Sequence, residues 1–266
     1  METSNKIINL SLNGIKYGTL LPVMDVNKLY QKLYSYNTIP IPLGQRSARW
    51  DHHSIFPVNS HYADAAKLLE AYWIPESAGD DTGYWLSWKP KKTTVRGINP
   101  DACTFKLYIS PHIDDYFPVF AEVIKVLTEA KVYCFKTGSN YHCILRPDKL
   151  VVYFDNFSEL KSTAEKIHHR TSNFSAQGVP FSAPLFDTLM LSWGIDPPSR
   201  KKAPVSWRVW ITKELASGII EGKKMLVDEP WQYALQHVRS RGFKIETWEP
   251  DQQLFATHQT KKTYLL

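Results

Sequence analysis

A chain of 266 residues, 43% of them hydrophobic, can bury a sizeable core and should fold alone, as one large domain or one domain with an N-terminal extension. Its 32 Lys and Arg against 26 Asp and Glu give a net charge of +6 and a pI near 9.0, which favours an anionic partner, yet the basic residues form no long cluster of the kind a nucleic-acid footprint shows. No apolar stretch reaches the length of a membrane span, no secretory signal opens the chain, and Cys103, Cys134 and Cys143 lack metal-type spacing; a cytoplasmic protein in a reducing compartment is expected, with neither nucleic acid nor membrane as partner.

Ile7, Ile8, Leu10, Leu12, Ile15 and Tyr17 alternate loosely around Asn13-Gly14, a two-residue hairpin signal, and predict a β-hairpin over residues 6–20. Asp25 caps a predicted helix whose apolar positions are Val26, Leu29, Tyr30, Leu33 and Tyr34. Pro40, Pro42 and Gly44 open an irregular section through Ser60 that carries Arg46, Arg49, Trp50, His52 and His53 and is read as a substrate-facing loop. His52, His53 and His61 do not fall at ligand spacing, so no metal site is expected. Ala65, Leu68, Leu69 and Tyr72 make a helix face closed off by Pro75, and Tyr84-Trp-Leu-Ser-Trp88 reads as a strand with packing tryptophans. The basic, Pro-interrupted run Lys89 to Arg96 divides an N-terminal portion, 1–95, from a second portion, 96–266, packed with it as one globular unit.

From residue 101 the pattern sharpens. Thr104 to Ser110 alternates as a strand, with Lys106 and Tyr108 on one face and Phe105, Leu107 and Ile109 on the other. Pro111 to Lys131 places Tyr116, Val119, Phe120, Val123, Ile124 and Leu127 on one helical stripe. That helix leads into a strand Val132 to Lys136, and the strand-helix-strand crossover permits the strands of Lys106 and Lys136 to be neighbours. Arg146 precedes Pro147-Asp148, and Leu150 to Phe154 is a third strand. A second helix spans Phe157 to His169, with His168, His169 and Arg170 at its C-terminal end, where the helix dipole favours positive charge. Residues 177–204 read as a largely irregular excursion; helices follow from about Thr212 to Leu226 and Trp231 to Arg241, ended by Gly242, and Phe243 to Trp248 reads as a last strand.

The ordered set Lys106-x-Tyr108-Ile-Ser110, amphipathic helix, Phe135-Lys136-Thr137, Arg146, Val151-Val-Tyr153-Phe154 and, much later, Ser206-Trp207-Arg208 resembles the bacterial phosphothreonine lyase superfamily, over about residues 101–225. That superfamily includes secreted effector lyases, related plant-pathogen effectors and the lyase components of lanthipeptide-type peptide biosynthesis. The resemblance implies an α+β fold, a twisted, largely antiparallel sheet with flanking helices. It further implies a phosphoserine/phosphothreonine lyase that eliminates phosphate from a peptide to leave dehydroalanine or dehydrobutyrine, with no cofactor. The expected substrate is a precursor peptide in lanthipeptide-like biosynthesis. No kinase motif occurs in the chain, so a separate Ser/Thr peptide kinase is the implied partner. The alternatives are a secreted effector lyase acting on a host signalling protein and a non-catalytic phosphopeptide-binding scaffold of the same fold.

By the same resemblance Lys136 is the general base, Lys106 contacts phosphate, and Arg146, Arg208 and Tyr153 bind it. Tyr108 stands where the effector lyases carry a histidine that acts as general acid; a phenol is a poorer acid than imidazolium, and His112, His142 and Lys106 are reserves. Taken singly, each residue also has a plain reading. Strand lysines are usually solvating groups, Tyr108 and Tyr153 suit a half-buried sheet, and Arg146 can pair with Asp148 across a turn as a surface contact of small energy. The N-terminal portion, 1–95, is then a peptide-binding part with Trp50, Tyr84 and Trp85 as apolar anchors, and 96–266 the lyase-like portion.

Overall fold

A computed structural model describes residues 5–41, 56, 61–77, 85–92, 105–197 and 205–250. The loop bearing Arg46, Arg49, Trp50, His52 and His53, together with Tyr84, the Thr93–Arg96 end of the basic run and Cys103, lies outside the described residues. In chain order the elements are α1 (Lys6–Leu20), α2 (Val26–Tyr34), α3 (Ala63–Tyr72), β1 (Trp73–Ser77), β2 (Trp85–Pro90) and β3 (Phe105–Ile109). A 3-10 turn (Ile113–Asp115) leads to α4 (Tyr116–Glu129), β4 (Cys134–Gly138), α5 (Tyr141–Ile144), β5 (Leu150–Phe154) and α6 (Phe157–Thr171). The chain continues through β6 (Ala183–Pro184), β7 (Leu191–Ile195), α7 (Trp207–Lys224), α8 (Pro230–Ser240), β8 (Phe243–Lys244) and β9 (Glu249–Pro250). Two units result, the first from Met1–Asn37, Val179–Thr188 and Ser192–Leu266, the second from Thr38–Gly178 and Leu189–Leu191.

The first unit is built on α1, α2, α7 and α8. Residues 6–20 are a helix and not the hairpin that Asn13-Gly14 predicts. Ile7, Ser11, Gly14, Ile15 and Gly18 are all buried and fall on one helical face, while the Asn5 side chain caps the N-terminus by accepting from the Ile7 N–H at 2.9 Å. Burial of a 3.6-residue stripe outweighs a local turn signal here. The Ser11 hydroxyl accepts from the Phe181 N–H at 2.8 Å, which ties the helix to the core of the unit. α2 starts where expected, capped by Asp25.

Residues 206–210, expected ahead of the helix, belong to α7, so Arg208 is on its first turn. The core of this unit is aromatic: Trp207, Phe243, Trp248 and Phe181 follow one another at centroid distances of 5.4, 5.1 and 5.8 Å. The Trp207 indole N–H is pinned to the Phe181 carbonyl at 3.0 Å. The 177–204 stretch contains β7, which pairs antiparallel with β6 through Ala183↔Trp193 and Pro184↔Ser192. Gly194 in β7 faces the Trp207 ring so closely that a Cβ there would lie 2.5 Å from Cδ1. Gly194→Ala is therefore expected to cost about 2–3 kcal/mol, because the pinned ring has nowhere to go, and to lower the melting midpoint by several degrees. An unchanged thermal melt would show that Trp207 gives way.

In the second unit five strands run in the order β1-β2-β4-β5-β3, and every pairing among them is antiparallel. β5 lies between β3 and β4, so the strands of Lys106 and Lys136 are not neighbours. The α4 crossover carries the chain past one strand position, and β5 returns to fill it, antiparallel to both. β1, missed in the sequence, is tolerated despite Pro75 because it forms the outer end of this row of five strands.

One face of these strands, built from Trp73, Trp88 and Phe135, packs on α4. The Trp73 edge meets the Phe135 ring at 4.8 Å, Phe120 of α4 meets Phe135 at 6.3 Å, and the Trp73 N–H donates to the Thr128 hydroxyl at 3.0 Å. Burial of each such side chain contributes on the order of 2–3 kcal/mol. The α+β architecture, with a mainly antiparallel sheet and flanking helices, is thus the one the sequence implies.

Candidate functional site

The opposite face of the same strands carries the polar set. Register fixes this: Lys106 faces Tyr153 and Tyr153 faces Cys134, while Tyr108 faces Val151, Val151 faces Lys136 and Lys136 faces Ser87. Directly paired residues share a face, and so do residues two apart on one strand. Lys106, Tyr108, Lys136, Tyr153 and Trp85 therefore all lie on one side of the sheet.

The heads on that face alternate cation and ring. Lys106 Nζ is 5.5 Å from the Tyr153 ring centroid, and Lys136 Nζ is 5.7 Å from the same centroid. Lys136 Nζ is also 4.3 Å from the Trp85 indole, which the Arg146 guanidinium carbon approaches at 5.3 Å. Arg146 follows the short helix α5, and α5 can sit against the sheet because residue 138 is glycine: a Cβ there would meet the Cys143 carbonyl carbon at 2.9 Å.

Arg146 does pair with Asp148, through Nε to Oδ1 at 3.0 Å and Nη2 to Oδ2 at 3.1 Å. The contact is not the weak surface pair that the turn suggests, because the Asp148 side chain is only 5% exposed. A buried carboxylate deprived of its cation is costly, so the pair holds the guanidinium in place.

Tyr108 is 3% exposed, buried among the strands rather than presented to solvent. Of its reserves, His112 is half-exposed and its Nδ1 lies 3.1 Å from the Asp114 carboxylate, while His142 is on α5. Arg208 belongs to the first unit. There it is 1% exposed, donates from Nη2 to the Tyr34 carbonyl at 2.8 Å and stacks its guanidinium 4.6 Å from the Tyr34 ring.

Sequence reasoning missed two groups. Trp85, which the sequence offers as packing or as an apolar anchor for the peptide but not as a partner of the cations, sits among them. Lys149, in a turn that reads as exposed, is wholly buried; its amine donates to the Pro111 carbonyl at 2.6 Å and to the Gln177 amide oxygen. Gln177 in turn donates to the Leu145 carbonyl at 3.0 Å, and Ser110 to that of Pro147 at 2.7 Å, so the segment bearing Arg146 and Asp148 is laced to the end of β3. Burial drags the Lys149 amine down to about 7, with the neighbouring Asp148 working against the shift. The one available signal was its position directly before the apolar run Leu150 to Phe154.

Among the described residues no three His, Cys, Asp or Glu side chains converge as metal ligands, and no helix is long and apolar enough to cross a membrane.

No protein-family model matches the chain, and no curated protein matches it in sequence. Among solved structures, the type III effector/phosphothreonine lyase OspF from Shigella flexneri aligns at a TM-score of 0.39 and 10% identity over 64% of this chain and 90% of that one, too low to establish a shared topology. Two others align throughout. The effector protein from Pseudomonas syringae pv. tomato strain DC3000 gives a TM-score of 0.56 at 10% identity, covering 93% of this chain and 98% of that chain. The effector protein from Pseudomonas syringae pv. syringae strain 61 gives 0.51 at 14% identity with the same coverage, 93% and 98%. This chain is similar in fold to these two Pseudomonas effector structures.

Proposed function

We propose that the chain is a phosphoserine/phosphothreonine lyase that eliminates phosphate from a phosphorylated peptide. The reading is supported above all by one observation: two lysines share the Tyr153 ring, and one of them shares Trp85 with Arg146, all on a single sheet face. Cations gathered on one face, with rings between them, suit a tetrahedral dianion.

In the reaction the Lys136 amine takes the Cα proton of the phosphorylated residue. The electron pair left behind forms the Cα=Cβ bond, the Cβ–O bond breaks, and inorganic phosphate departs with those electrons. Lys106, Arg146 and Tyr153 stabilise the departing charge, and Tyr108 supplies the proton to the bridging oxygen. Lys136 must be uncharged when it acts, and neighbouring positive charge such as that of Arg146 favours the neutral amine. The substrate is a precursor peptide phosphorylated by a separate kinase, as in lanthipeptide-like biosynthesis. A second reading, an effector lyase acting on a signalling protein, draws support from the two effector structures of similar fold.

Incubation with phosphothreonine and phosphoserine peptides is expected to lower the peptide mass by the elements of phosphoric acid and to create an alkene that adds a thiol. Unchanged mass in both peptides sinks the reading in favour of a binding scaffold. Loss of phosphate without a thiol-reactive product would mean hydrolysis instead.

A further inference from the structure

Trp85 opens β2 at a half-buried position opposite Gly138, while Lys136 lies opposite Ser87, so indole and ammonium are diagonal neighbours across β2 and β4. The Arg146 guanidinium reaches the same ring from a different element, the segment after α5. Two cations brought near each other repel, more strongly as water is excluded. While Lys136 is protonated, before substrate binds, an electron-rich ring that accepts both cations offsets that repulsion, indole better than the other aromatic side chains. Its flat face still supports the lysine side chain once the amine has given up its proton.

We propose that Trp85 is a positioning residue of this site, an indole shelf that sets the spacing between the base, Lys136, and the phosphate clamp, Arg146; the inference rests on the lyase reading above. The two ligands of the shelf differ in kind. Arg146 is already gripped by Asp148, so its guanidinium lies between a carboxylate and the indole, whereas Lys136 is flanked by two rings, Trp85 and Tyr153. Loss of the indole disturbs the base directly, while Asp148 still holds the clamp, so the damage falls on turnover more than on phosphate affinity. A purely structural tryptophan would show neither this bias nor a dependence on Arg146.

The test compares Trp85→Leu, which removes the ring, with Trp85→Phe, which keeps an aromatic face. Turnover is read on a phosphothreonine peptide, and affinity on its phosphonate analogue, in which a methylene replaces the bridging oxygen so that phosphate cannot leave. Trp85→Leu is expected to lower kcat roughly 30- to 100-fold, the scale of a misplaced catalytic group, and to weaken phosphonate binding only about tenfold. Trp85→Phe is expected to keep both within about threefold. In a double-mutant cycle on phosphonate affinity, Trp85→Leu and Arg146→Gln should cost less together than the product of their separate effects.

A Leu variant within twofold of the wild type in both measurements, equal losses in the Leu and Phe variants, or independent effects in the cycle would overturn the proposal. A wild type that binds the phosphonate peptide and eliminates nothing sinks the lyase reading, and the affinity cycle then decides Trp85 by itself. A wild type that does not bind the phosphonate overturns both.

Discussion

Lys136→Ala is expected to lower phosphate elimination by roughly 10³-fold, the scale of a lost general base, while leaving affinity for the phosphonate peptide within about tenfold of the wild type. The reasoning starts from the geometry. Lys136 is the cation that both rings of the row approach, at 4.3 Å for Trp85 and 5.7 Å for Tyr153, and it is central in β4 with β2 on one side and β5 on the other. Lys106 and Arg146 remain to hold the anion when Lys136 is removed, so binding should survive where turnover does not. Lys136→Arg gives the sharper control. A guanidinium retains charge and length but stays protonated and cannot accept the Cα proton, so this variant too should be inactive while binding well. Retention of full elimination by either variant, followed by mass and thiol trapping, would remove Lys136 from the role of base.

The second large effect concerns stability and Lys149. In the fold its amine is pulled from the ordinary 10.5 to about 7, chiefly by burial. Between those two values the unfolded chain carries the proton and the folded chain does not, so raising the pH through this window favours the fold. Below about 7 both states are protonated and the penalty of a buried charge is paid in full. The group contributes on the order of 5 kcal/mol at most across the window. Tyr116, whose phenol burial pushes upward, acts in the opposite direction above pH 10, so the comparison is best made from about pH 6.5 to 9.5.

Urea denaturation of the wild type is expected to show stability rising over that range from this group, and Lys149→Met is expected to flatten the rise. At the alkaline end the Met variant should be less stable by about 1–3 kcal/mol, because the Pro111 and Gln177 oxygens lose their buried donor. Parallel curves for the two proteins would mean that Lys149 does not titrate in this window.

The shared sheet face of the candidate residues was legible because a pleated strand has period two. Lys106 and Tyr108 had to share a face, and the spacing of Lys136 and Tyr153 within their own strands allowed them to join it. Arg146 was legible only as a residue near a turn. Its pairing with Asp148 was foreseen, but the burial of that carboxylate was not, since burial depends on what the rest of the chain lays over the turn. Trp85 reads in sequence as a packing residue beside Trp88 or as an apolar anchor for the peptide, because neither neighbouring cation lies in its own strand. Nothing within β2 says that an arginine 61 positions away in an irregular segment will stack beside it.

The amphipathic stripes of α2, α4 and α6 and the alternation of β3 and β5 were determined by the sequence itself, since each depends on spacing along one element. Only the tertiary structure decided that β5 lies between β3 and β4, that Asn13-Gly14 is interior to a helix, and that Lys149 is buried beside the segment bearing Arg146 and Asp148. The physical reason is the same in each case. Periodicity records which side of an element is apolar, whereas strand order, helix against hairpin, and the burial of a charged group are settled by the partner surface, which local spacing does not encode.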